Sequence, residues 1–140
     1  MSVEMILLPL FVEVILTFAL LFWLGPLRAR DFRTGQVREE DIALRQPNWS
    51  KPALQVQYSF SNQFELPVLF YVLTILAYVT HHAGTLFVVL AWVFVIFRLL
   101  QAYVHVTNNK VMLRGMFFGV SALALAINWV VFIVEILTGT

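Results

Sequence analysis

Four runs of apolar residues constrain this chain more than any other feature, because each is long enough to cross a lipid bilayer. They cover about 5–27, 58–79, 84–106 and 114–137. A membrane-crossing helix needs about 20 such residues. None of the runs alternates with the period of two expected of a barrel strand. The expected fold is an all-α integral membrane protein, a four-transmembrane-helix bundle forming one domain over 1–140. Only 12% of residues are charged, against about 25% in soluble domains. Mean hydropathy is +0.85, so a soluble monomer would lack the polar side chains to cover its surface. The absence of cysteine excludes disulfides, thiolate metal sites and a cysteine nucleophile. A net charge of +1 leaves no electrostatic footprint for nucleic acid.

The connections set the expected topology. Gly25-Pro26 ends the first run, since proline removes a helical hydrogen bond, and a long connection follows over 28–57. Residues 80–84 and 107–110 read as tight helical hairpins. The basic residues Arg28, Arg30 and Arg33 follow the first apolar run instead of preceding it, the reverse of a secretory signal, so the first run reads as a retained span. Ten of the 17 charged residues lie in 28–57, and Lys110 and Arg114 sit at the same end, whereas 80–84 holds no lysine or arginine. The positive-inside rule then puts 28–57 in the cytoplasm and both termini on the non-cytoplasmic side. The mixed charges of 28–57 read as a solvated loop with one short helix near Glu39–Arg45.

Polar residues inside the spans are costly and are functional candidates by default. Glu65 lies early in the second span and Arg98 late in the third. A rise of about 1.5 Å per residue in two antiparallel neighbours puts them at one depth, and a carboxylate facing a guanidinium there is expected to pair with it. Tyr58, Asn62 and Glu65 form one helical stripe, and Arg98, Gln101 and His105 another. With Arg114 at the start of the fourth span they outline a polar pocket, suited to a small anionic molecule with carboxylates for arginine forks and an amine for Glu65. Glu13 and Asn128 lie level in the other half of the bundle and read as a structural hydrogen-bonded pair. Pro67 is expected to kink the second span. Gly115 and Gly119 form a weak GxxxG pattern. His81-His82 reads as hairpin, and no metal site is expected.

The stretch Asn62-Gln63-Phe64-Glu65-Leu66-Pro67 resembles the Asn-x-x-Glu-x-x-Pro element of the membrane-associated proteins in eicosanoid and glutathione metabolism (MAPEG). Arg98-Leu99-Leu100-Gln101 with His105, and Arg114-Gly115-Met116-Phe117, are similar to the family's third- and fourth-span elements, so the likeness covers essentially the whole chain. The resemblance implies a homotrimer in a membrane, here the bacterial inner membrane, with glutathione as co-substrate between protomers in the cytoplasmic half. It implies a glutathione-dependent transferase or peroxidase acting on small lipophilic electrophiles that arrive among the membrane lipids. It makes Asn62, Glu65, Arg98 and Arg114 glutathione-contacting residues; the two stripes add Tyr58, Gln101 and His105 as ligand-binding residues, and Arg114 and the hydroxyl of Tyr103 are the catalytic candidates. Three departures stand out: Tyr58 occupies a usually basic position, Pro67 follows Glu65 by two residues, and Gln101 and His105 replace late third-span tyrosines. A bacterial-type member with these changes has an alternative reading, a non-catalytic membrane protein that binds a small anion or acts as an assembly partner.

Overall fold

The computed structural model describes residues 2–140. Its elements are α1 (Val3–Arg33), α2 (Glu39–Ile42), α3 (Lys51–Asn62), α4 (Leu66–Val79), α5 (Thr85–Val106) and α6 (Val111–Thr138). There is no strand among the described residues. Four helical segments are long and apolar enough to cross a membrane: α1, α3 with α4, α5, and α6.

α1 begins at Ser2, whose hydroxyl accepts the Met5 N–H at 3.3 Å, a standard N-cap. It does not end at Gly25-Pro26 as expected but runs through Pro26 to Arg33. Proline forfeits a single backbone bond, and membrane helices tolerate that loss. Termination comes at Thr34, which caps the Arg30 carbonyl through both its N–H and its hydroxyl. Gly35 follows at φ +77°, a conformation glycine takes without steric cost.

The second span departs most from expectation. Its helix begins at Lys51, seven residues before Tyr58, and breaks at Gln63-Phe64-Glu65 before resuming as α4. Pro67 cannot donate to the Gln63 carbonyl and its ring crowds that group. The chain tightens instead: Gln63, Phe64 and Glu65 donate to Phe60, Ser61 and Asn62, each three residues back. The expected kink is therefore a full interruption.

The 80–84 hairpin closes α4 with paired bonds, His82 N–H to the Ala77 carbonyl and His81 N–H to Tyr78. His81 takes the left-handed conformation at φ +61°, the arrangement that commonly ends helices. The Cβ positions of Gly115 and Gly119 meet nothing within 4 Å, so the GxxxG pattern mediates no close approach within this chain.

Packing follows two apolar clusters with a polar layer between them. Ile6, Phe70, Leu73, Phe94 and Val95 belong to the larger cluster, where the Phe70 and Phe94 rings lie 4.8 Å apart. Leu20, Leu24 and Val56 form the smaller one, nearer the 28–57 connection. Along α1 the order is Ile6, Glu13, Leu20, and along α5 it is Phe94, Arg98, Val106. Glu13, Gln63, Arg98 and Gln101, all buried, occupy the level between. The outer surface is the inverse: Ile15, Phe22, Tyr103 and Met112 are exposed, as lipid-facing residues should be.

Candidate functional site

The polar layer opens at one place into a cavity of about 460 Å³, lined by Tyr58, Ser61 and Asn62 from α3, Glu65 from the break, Gln101 and His105 from α5, and Arg114, Gly115 and Phe118 from α6. This lies within the range of about 300–1,000 Å³ usual for small-molecule sites. It sits at the end of the bundle that carries the 28–57 connection. Three elements supply its walls because two helix termini and a helix break coincide there.

Arg114 is held by its own turn. Asn109, in the left-handed conformation at φ +52°, presents its Oδ1 to Arg114 Nη1 at 2.7 Å. That leaves most of the guanidinium's five donors free. Gln55 ties the same turn to α3 by donating to the Thr107 carbonyl at 3.2 Å. Glu65 caps α4 and is exposed, so its carboxylate faces the cavity at the start of a helix, where negative charge is favoured. Gln101 and His105 are buried in the wall, and His105 Nδ1 has no partner among the described residues.

Arg98 is the exception among the expected ligand residues. It is 1% exposed and does not line the cavity; it lies beneath it. Its Nη2 donates to the Asn62 carbonyl at 2.9 Å and its Nη1 to Gln101 Oε1 at 3.0 Å. The expected Glu65–Arg98 ion pair does not form: among the described residues the ion pair within 4 Å is Arg38–Glu40, at the surface. The helix break explains this, because it carries Glu65 outward to the head of α4 while Arg98 takes the carbonyl that the break exposes. Both Glu13 and Glu65 remain within electrostatic reach of Arg98.

The expected Glu13–Asn128 pair does not form either. Asn128 donates to the Phe87 carbonyl at 3.3 Å, in the first turn of α5. Glu13 is fully buried and both its carboxyl oxygens lack a partner among the described residues. α1 packs on α3, α4 and α5, and α6 packs chiefly on α5, so α5 separates the two residues. Level depth alone missed this, because it does not say which helix faces which.

Tyr103 also stands apart. It is 66% exposed and lines an apolar groove with Leu16, Leu20, Trp23 and Val106. Two residues from Gln101 and from His105, it projects from the opposite side of α5. Conversely, Ser61 and Phe118 line the cavity without having been singled out, and Gly115 lines it although it was read only as part of a packing pattern and a family element. Ser61 was legible in principle, lying on the Tyr58–Asn62–Glu65 stripe. Nothing in the sequence separated Phe118 from the other apolar residues of its span.

A multi-pass helical membrane protein with a polar pocket set into one end, where its second span is broken, is the class this architecture defines. The chain belongs to the MAPEG family, whose family model matches residues 6–134. No curated protein and no solved structure matches it. Membership makes it a membrane protein of the glutathione and eicosanoid metabolism family.

Proposed function

We propose that the pocket binds glutathione, or a closely related anionic thiol, and presents it to lipophilic electrophiles that reach the site from the bilayer. The observation that carries this reading is the pairing of opposite charges across one cavity, Glu65 at the helix break and Arg114 at the start of α6. Arg114 forks onto a carboxylate of the ligand, and Glu65 takes its ammonium group. Asn62, Ser61 and Gln101 offer hydrogen bonds along the peptide between them. Arg114 is also the cation that stabilises a thiolate and so favours loss of the thiol proton. Glutathione supplies the sulfur that bonds the electrophilic carbon, with chloride and a proton released to water when the partner is a chlorinated aromatic. A transferase or a peroxidase fits this arrangement, in a homotrimer with the pocket completed between protomers. In this reading 28–57 is cytoplasmic, the termini lie on the far side, and the membrane is the bacterial inner membrane.

One observation favours a second reading. Arg98 faces inward and Tyr103 lies on the other side of α5, so a single chain offers one guanidinium and the Tyr58 phenol to a ligand with two carboxylates. A non-catalytic protein that binds a small anion, or an assembly partner, would need no more. Calorimetry on the detergent-purified protein with glutathione, followed by a conjugation assay with a chlorinated aromatic electrophile, separates the two. Binding with turnover, both lost in Arg114→Ala and weakened in Glu65→Gln, supports the enzyme. Binding without turnover supports the second reading, and no binding at millimolar glutathione overturns the proposal.

A further inference from the structure

A second cavity, of about 440 Å³, lies at the same end of the bundle but on another face, between α1, α3 and the segment after α2. Its floor is apolar, made of Leu21, Leu24 and Phe60, and its rim carries the guanidiniums of Arg28 and Arg45. No carboxylate lines it, and neither arginine makes an ion pair among the described residues.

The rim is held in place by a chain of contacts. Arg28 Nη2 donates to Gln57 Oε1 at 2.7 Å, and its guanidinium lies over the Trp49 ring at 4.9 Å. Trp49 in turn meets the edge of Phe32 at 5.4 Å. Beside it the Ser50 N–H donates to Asp31 Oδ2 at 3.0 Å, and Asp31 is 2% exposed. These contacts dock Trp49 and Ser50 against the end of α1, while most of 34–48 is exposed and carries the expected short helix at Glu39–Ile42. Arg28 is thus oriented with most of its donors unspent, and its buried Nε has no partner among the described residues.

Position decides what such a cavity takes. It stands where the apolar part of α1 gives way to its basic end, at the level of the exposed Phe22 and Trp23 on other faces of the helix. Tryptophan and arginine at that level are membrane-interface residues, and basic pockets between spans at the interface bind anionic headgroups. A free phosphate ester would use the two arginines but leave Leu21, 39% exposed, uncovered. The geometry points to a binding site for an anionic phospholipid, its phosphate between Arg28 and Arg45 and its chain lying along the apolar floor.

The test is native mass spectrometry of the full chain released from micelles containing equal phosphatidylglycerol and phosphatidylcholine, with glycerol phosphate as the chainless competitor. One phosphatidylglycerol per chain is expected to be retained, in preference over phosphatidylcholine by about tenfold or more. The Arg45 side chain makes no hydrogen bond among the described residues, so Arg45→Gln should reduce that preference without disturbing the docked segment. Arg28→Gln should reduce it further. Arg38→Gln, at the surface beside Glu40, and Arg114→Ala, in the other cavity, should leave it unchanged, so the outcome is independent of thiol binding. Equal retention of the two lipids, or a preference that survives Arg45→Gln, overturns the site. Displacement of the lipid by millimolar glycerol phosphate overturns the lipid assignment.

Discussion

Arg98→Met is the perturbation with the best-defined consequence. Methionine fills much of the volume and removes every donor. Two bonds from a charged group are lost, to the Asn62 carbonyl at 2.9 Å and to Gln101 Oε1 at 3.0 Å. Such bonds contribute about 1.5–3 kcal/mol each. The Asn62 carbonyl keeps a longer bond from the Glu65 N–H at 3.3 Å, which argues for the low end. Relief of the guanidinium's own desolvation offsets part of the loss, while Glu13, left with both oxygens bare, works the other way. The net expectation is about 3 kcal/mol, or a melting temperature lower by roughly 10 °C for a chain of this size. Tryptophan fluorescence during heating in detergent would measure it. Arg98→Lys keeps the charge, but its three donors radiate from one nitrogen and cannot span both acceptors as a planar fork does, so it should recover only part of the loss. Glu13→Gln should destabilise Arg98→Met less than it destabilises the parent, the signature of coupled charges in a double-mutant cycle. A loss under about 3 °C in Arg98→Met would refute the idea that this residue clamps the helix break.

Pro67→Ala restores an N–H that the Gln63 carbonyl can accept from, drawing α3 and α4 toward one continuous helix; glutathione affinity measured by calorimetry should fall about tenfold while the melting temperature moves little. Unchanged affinity would separate the break from the pocket. Asn128→Leu removes the bond to the Phe87 carbonyl and should cost about 1 kcal/mol, seen as roughly 3 °C in melting, with glutathione binding unaffected because Asn128 belongs to the opposite end of the bundle.

The four spans, their hairpins and the side of the bundle that carries the pocket were legible in hydropathy and in two helical stripes. Tyr58, Asn62, Glu65, Gln101, His105 and Arg114 meet at one cavity because stripe periodicity and hairpin connectivity together fix which faces converge. Partner choice was not legible. Depth arithmetic paired Glu65 with Arg98 and Glu13 with Asn128, but depth is one coordinate, and hydrogen bonding depends also on rotation and on backbone groups that composition does not display. The acceptors actually used by Arg98 and Asn128 include main-chain carbonyls, which no side-chain pattern encodes. The docking of Trp49 and Ser50 onto α1 was hidden for a similar reason, since Asp31 reads as one more loop charge until its backbone partner is known.

The helix break ties these details into one constraint. Within a bilayer a carbonyl without a donor is costly, so irregular backbone persists there only where protein or water satisfies it. Asn62 ends α3 with its carbonyl turned away from any helical partner except the tightened bond from Glu65. Arg98, one helix away, supplies the donor that this geometry lacks. The same guanidinium also holds Gln101, which forms the adjoining wall. Removing the arginine would leave the break unsupported. The asparagine, glutamate and proline of the second span and the arginine of the third are therefore one structural unit, and the cavity is the space that unit holds open. A polar cavity persists at this depth because it is bounded by a gap in a helix that the protein stabilises from behind.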